Sequence, residues 1–107
     1  MYFKKIKEES NLNEKELYRQ KKQAQLDEWK AELAKIKAKA KGASADRKLE
    51  LKRKTDAIES KIKKGESMLN EIAGASEEAW GSIKEGVESA WVSLSSAFSD
   101  AASKFKD

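Results

Sequence analysis

The chain has 107 residues, enough for one domain, and 39% of them are charged. It holds neither cysteine nor histidine, which excludes a disulfide framework, a thiolate metal site and the commonest general base near neutral pH. It also lacks proline, so nothing in it forbids long uninterrupted helices.

Valine, isoleucine, leucine, methionine and the aromatics together number 26. That is thin for a globular core but suits a coiled coil, which buries a narrow seam. Low hydrophobicity with high charge can also leave a chain disordered, but the regular spacing of the apolar residues argues against it. No apolar run approaches the roughly 18–20 residues that a membrane span needs. No apolar stretch succeeds Met1 to Ile6 as a secretory signal would require, and the expected setting is cytoplasmic. Charge is unevenly placed: residues 1–65 hold 20 Lys/Arg against 11 Asp/Glu, whereas residues 66–107 hold 3 against 8. Two such halves attract each other, within one chain or between neighbours, or leave a basic surface for an anionic partner.

Residues 1–13 read as a tail. Asn13 and Glu16 fit a capping box, with Leu12 and Leu17 placed for a hydrophobic staple, so helix 1 is expected over 14–41. Within it Leu26, Trp29, Leu33 and Ile36 follow a heptad seam, which weakens where Arg19 and Lys22 occupy the extrapolated positions. Gly42 is expected to take a left-handed turn and Ser44 to cap the second helix. So short a connection favours an antiparallel neighbour. Helix 2, expected over 45–75, carries Leu51, Thr55, Ile58, Ile62, Gly65, Leu69 and Ile72 at spacings of 4, 3, 4, 3, 4 and 3. Folding back would set Ile36 near Leu51, Trp29 near Ile58 and Leu26 near Ile62. Gly65 lies on this seam without a slip in phase, which favours close packing over a helix stop.

From Ser76 the period becomes eleven: SEEAWGSIKEG, VESAWVSLSSA, FSDAASKFKD. Trp80 aligns with Trp91, Ile83 with Leu94 and Phe105, and Val87 with Phe98. Such a repeat runs nearly straight along a helix and spreads these residues over an arc of about 140°, wider than a two-stranded seam needs. Val92 points to the other side. The stripe passes from Ile72 through Ser76 to Trp80 in phase, which favours a segment 76–105 continuous with helix 2 or gently kinked from it. Gly74-Ala75-Ser76-Glu77-Glu78 also reads as a stop, a cap and two acidic first-turn residues.

The stretch EEAWGSIKEGVESAWVSLSSAFSDAASKF, residues 77–105, resembles the C-terminus of a family of small bacterial coiled-coil proteins, some labelled stress-responsive. Gln25 to Trp29 and the Lys/Ala run from Lys35 to Lys41 are similar to that family's first helix. The resemblance implies apolipoprotein-like helical repeats and no catalytic residues. The serine-rich, lysine-poor stretch 89–103 departs from the family pattern.

An enzyme is not expected, because no His-supported nucleophile, phosphate-binding glycine loop or metal-spaced cluster occurs, and no cofactor is implied. Trp80 and Trp91 lie about 16 Å apart along one helix face, too far to clamp one small molecule. Nucleic acid is not the expected partner either, since Lys35 to Lys64 holds no aromatic residue for base stacking. The sequence therefore predicts an all-α antiparallel hairpin with a hairpin core of Leu26, Trp29, Leu33, Ile36, Leu51, Ile58, Ile62, Leu69 and Ile72. A monomer would leave part of the C-terminal face uncovered. Self-association is expected through a stripe of Trp80, Ile83, Val87, Trp91, Leu94, Phe98 and Phe105, and substituting Trp91 and Leu94 by Glu is expected to dissociate it. The alternative partner is a lipid surface. It is suggested by the low-charge face of Ser82, Ser89, Ser93, Ser96, Ser99 and Ser103.

Overall fold

A computed structural model describes the backbone of residues 2–105 and the side chains of residues 14–103. Three α-helices succeed one another: α1 (Tyr2–Ala40), α2 (Ala45–Ala73) and α3 (Glu77–Phe105). They form an up-down-up bundle 64 × 25 × 17 Å in extent.

The first helix corrects the expected boundary. It already runs at Tyr2 and passes through Asn13 unbroken, because no proline or glycine in residues 2–13 interrupts it. The Leu12 side of the expected staple lies outside the described side chains. Where the seam weakens, Lys22 takes the vacant position with its side chain only 18% exposed. Its alkyl stem covers the core while its ammonium reaches outward.

The α1–α2 connection is tightened by bonds from the N–H groups of Lys41, Gly42 and Ala43 to the carbonyls of Ala38, Lys39 and Ala40. This last turn of 3₁₀ type satisfies the orphan carbonyls, so Gly42 does not enter the left-handed region expected of it. Ser44 does precede α2 in extended conformation, yet its side chain makes no capping bond. Reversal through Lys41–Ser44 gives the antiparallel hairpin, and Lys30–Glu66 and Lys37–Glu59, each 2.5 Å, bridge it. Leu26 meets Gly65. That contact lies about one helical turn along α2 from Ile62, the partner expected for Leu26, and the Lys30–Glu66 and Lys37–Glu59 bridges are shifted in the same sense.

At residues 74–76 the stop-and-cap reading prevails over continuity. Gly74 ends α2, donating its N–H to the Glu71 carbonyl at 3.2 Å, and Ala75 donates to the Ile72 carbonyl at 3.1 Å. Ser76 then caps α3: its Oγ accepts from the Ala79 N–H at 3.2 Å and its carbonyl accepts from Trp80 at 2.8 Å. Glu77 and Glu78 fill the first turn, where the helix dipole favours negative charge. The third helix therefore folds back along α2 and lies parallel to α1.

One continuous core results. Leu26, Leu33, Ile36, Ile58, Ile62, Leu69 and Ile72 of the hairpin share it with Val87, Trp91, Leu94, Phe98 and Ala101 of α3, and Trp29 packs half-buried against it. Leu51 is buried as well. Thr55, the polar member of the seam, satisfies its hydroxyl on the Lys52 carbonyl at 3.0 Å.

Candidate interaction surface

The residues expected to meet a partner are placed by α3, whose eleven-residue period keeps one face toward the α1–α2 groove. Val87 and Leu94 have no exposed surface, and Trp91 and Phe98 are buried. Trp80 and Ile83 are half-buried against the same core. Phe105 lies outside the described side chains. The wide arc is thus covered over Val87, Trp91, Leu94 and Phe98 by two helices of the same chain, where a monomer was expected to leave part of it uncovered, and only Trp80 and Ile83 keep some exposure among the described stripe residues. Val92, 68% exposed, points away from the bundle as its phase requires.

The helices approach one another closely at Gly65. A Cβ there would lie 3.0 and 3.1 Å from ring carbons of Trp91 and 3.4 Å from Leu26, so the glycine is where α1, α2 and α3 close on one another. Trp91 is held from the α1 side by Trp29, ring centroids 5.9 Å apart, and Trp29 stacks on Phe98 at 5.8 Å. Trp91 Nε1 is buried with no hydrogen-bond acceptor among the described residues.

Sequence reasoning missed a polar cluster at the α1–α3 contact. The Tyr18 hydroxyl donates to Glu88 Oε2, and Lys22 pairs with the same carboxylate at 3.0 Å. The Tyr18 ring stands edge-on to Trp80, centroids 5.3 Å apart, and the ammonium groups of Lys22 and Lys84 lie 5.4 and 5.3 Å from its centre, within cation–π range. The hydrogen bonds from Tyr18 and then Lys22 hold the Glu88 carboxyl below its ordinary range, while burial first, then Glu88, pushes the Tyr18 phenol up. A signal existed. Tyr18 and Trp29 are eleven residues apart, as are Trp80 and Trp91, and the structure pairs the two sets in parallel, Tyr18 with Trp80 and Trp29 with Trp91.

The basic and acidic halves attract each other within the chain. Lys22–Glu88 and Lys54–Asp100 (2.5 Å) tie α3 to α1 and α2, and Lys61 donates to Ser93 Oγ at 2.5 Å. The remaining charge is polar along the rod. Lys35, Lys39, Lys41, Lys48 and Arg53 surround the α1–α2 turn without an ion pair to a described residue, whereas Glu71, Glu77 and Glu78 stand at the α2–α3 turn. A cleft of 370 Å³ between α1 and α2 near the basic turn is lined by Lys37, Lys41, Lys48 and Lys52 with Ala40, Thr55 and Asp56. Among the described residues no three His, Cys, Asp or Glu side chains gather to hold a metal ion, and no helix is long and apolar enough to cross a membrane. Comparison with family models, curated proteins and solved structures finds no match to the chain.

Proposed function

We propose that this protein is a non-enzymatic helical interaction module that associates with copies of itself through the apolar face of α3. The observation that carries the reading is the burial of Val87, Trp91, Leu94 and Phe98 in the α1–α2 groove, across a connection of only Gly74, Ala75 and Ser76. Every copy offers the same groove, so a neighbour's α3 finds the partners that its own α3 has. The resemblance adds a bacterial setting and a stress-related use. Sedimentation velocity over a concentration series, after refolding from denaturant at each concentration, is the test. A dimer whose share grows with concentration is expected; a single monomeric species throughout overturns the proposal.

A second reading rests on the outer face of α3. Ser82, Ser89, Ser96, Ser99 and Ser103 lie along the helix with Val92 exposed among them, a low-charge surface of the kind found on helices that enter loosely packed lipid. In this reading α3 leaves the groove for the bilayer. Flotation with neutral, loosely packed vesicles is expected to carry the chain upward with a blue-shifted tryptophan emission. Unchanged emission excludes it.

A further inference from the structure

Resting on self-association through α3, we infer how the second copy is engaged: residues 74–76 straighten, α2 and α3 merge into one helix, and the α3 half fills the α1–α2 groove of the other copy. The occupant of the groove is then a second copy's α3, seated as the chain's own α3 is seated here.

Three observations converge on this. The first is the hinge. Gly74 has φ −101° and ψ 5°, in the bridge region beside the helical one, and no described residue has a positive φ. Nothing among Gly74, Ala75 and Ser76 resists helix formation as a proline would. Straightening gives up the Gly74, Ala75 and Ser76 capping bonds and the bond from Lys15 Nζ to the Ala75 carbonyl, 2.9 Å. It gains the ordinary helical bonds of the same backbone groups.

The second is phase. Leu69, Ile72, Ser76, Trp80, Ile83 and Val87 succeed one another at spacings of 3, 4, 4, 3 and 4. A straight helix through the hinge therefore keeps the α2 and α3 apolar faces on one side. A connection selected only to reverse the chain has no need of that phase.

The third is the retention of contacts on exchange. Tyr18–Trp80, Trp29–Trp91, Trp29–Phe98, Lys22–Glu88 and Lys54–Asp100 all re-form between copies. Closed monomer and exchanged dimer then differ only at the hinge and in concentration. Local chemistry at three residues is enough to set the balance.

Two hinge variants pull in opposite directions. Gly74→Ala meets nothing within 4 Å in the closed bundle and favours the straight helix about five-fold per hinge, hence about 25-fold for a dimer with two hinges. Glu77→Pro occupies the first residue of α3, where proline is well accepted. In a straight helix the same proline would lose a bond and clash with the preceding turn, a bar of roughly a hundred-fold or more. Light scattering coupled to size exclusion, with small-angle X-ray scattering on the dimer peak, reads the outcome after circular dichroism confirms that each variant is folded. Expected are more dimer with Gly74→Ala, none with Glu77→Pro, and a dimer at least about 90 Å long, the length of a helix over residues 45–105. A Glu77→Pro chain that dimerises like the parent, or a dimer no longer than the 64 Å monomer, overturns the exchange and leaves self-association standing. A parent and Gly74→Ala that both stay monomeric overturn the two together.

Discussion

Trp91 lies where all three helices meet, so single residues around it report on the packing. Its indole is confined by Gly65 on α2 and Trp29 on α1, and a side chain at 65 must displace a ring that has little room to move. Gly65→Leu is expected to lower the unfolding free energy by about 2–3 kcal/mol despite better helix propensity; urea denaturation checks it, and parental stability would contradict the close approach. Two positions on α3, two residues apart, give a sharper contrast. Leu94→Ala removes a fully buried side chain and should cost about 2–5 kcal/mol, whereas Val92→Ala, on the solvent side, should stay within about 0.5 kcal/mol. Trp91→Phe discards an indole N–H that has no acceptor, a group whose burial costs about 1–3 kcal/mol. It should therefore be far milder than Trp91→Ala at about 3–5 kcal/mol.

At the scale of the elements, the α1–α3 contact carries a pH dependence with a definite sign. Glu88 is held below its ordinary value of 4.5 by Tyr18 and Lys22, Glu16 by Arg19 and Glu59 by Lys37. Each is depressed in the folded chain, so its contribution is present above pH 4.5 and is lost as the pH falls through the depressed values. Thermal melts from pH 6 downward are expected to show a falling midpoint, with a shallower fall for Glu88→Gln; equal slopes for the two chains would deny Glu88 this part. The ends of the elements were legible to different degrees. Ser76 with Glu77 and Glu78 marked the start of α3, because a serine oxygen and two carboxylates answer the free N–H groups of a first turn. Gly42 misled, because 3₁₀ tightening satisfies a helix end as well as a left-handed glycine does. The phase from Ile72 to Trp80 also misled, since it permits a straight helix through residues 74–76 without requiring one in the closed chain.

For the whole molecule, the hairpin was readable because a heptad seam must face another seam, and Leu26, Leu33, Ile36, Ile58, Ile62, Leu69 and Ile72 are buried as their spacing demands. The third helix was not readable in the same way. A wide apolar arc states that two helices cover it and leaves open which chain supplies them. Here α1 and α2 of the same chain do, and the matched eleven-residue spacing of Tyr18–Trp29 and Trp80–Trp91 was the available clue. The consequence for mutagenesis is reversed from the sequence expectation. Glu at both 91 and 94 strikes the core of the monomer, so circular dichroism should show lost helicity and a lost cooperative melt. A dissociated but fully folded chain would place those side chains at an interface after all.

In the bundle α3 lies back along the hairpin of its own chain. Ring-to-ring nuclear Overhauser effects between Trp29 and Phe98, whose centroids are 5.8 Å apart, report this placement in a sample dilute enough to be monomeric. Strong cross-peaks between the two rings are predicted. A helical, monomeric chain with no Trp29–Phe98 cross-peak would contradict the bundle.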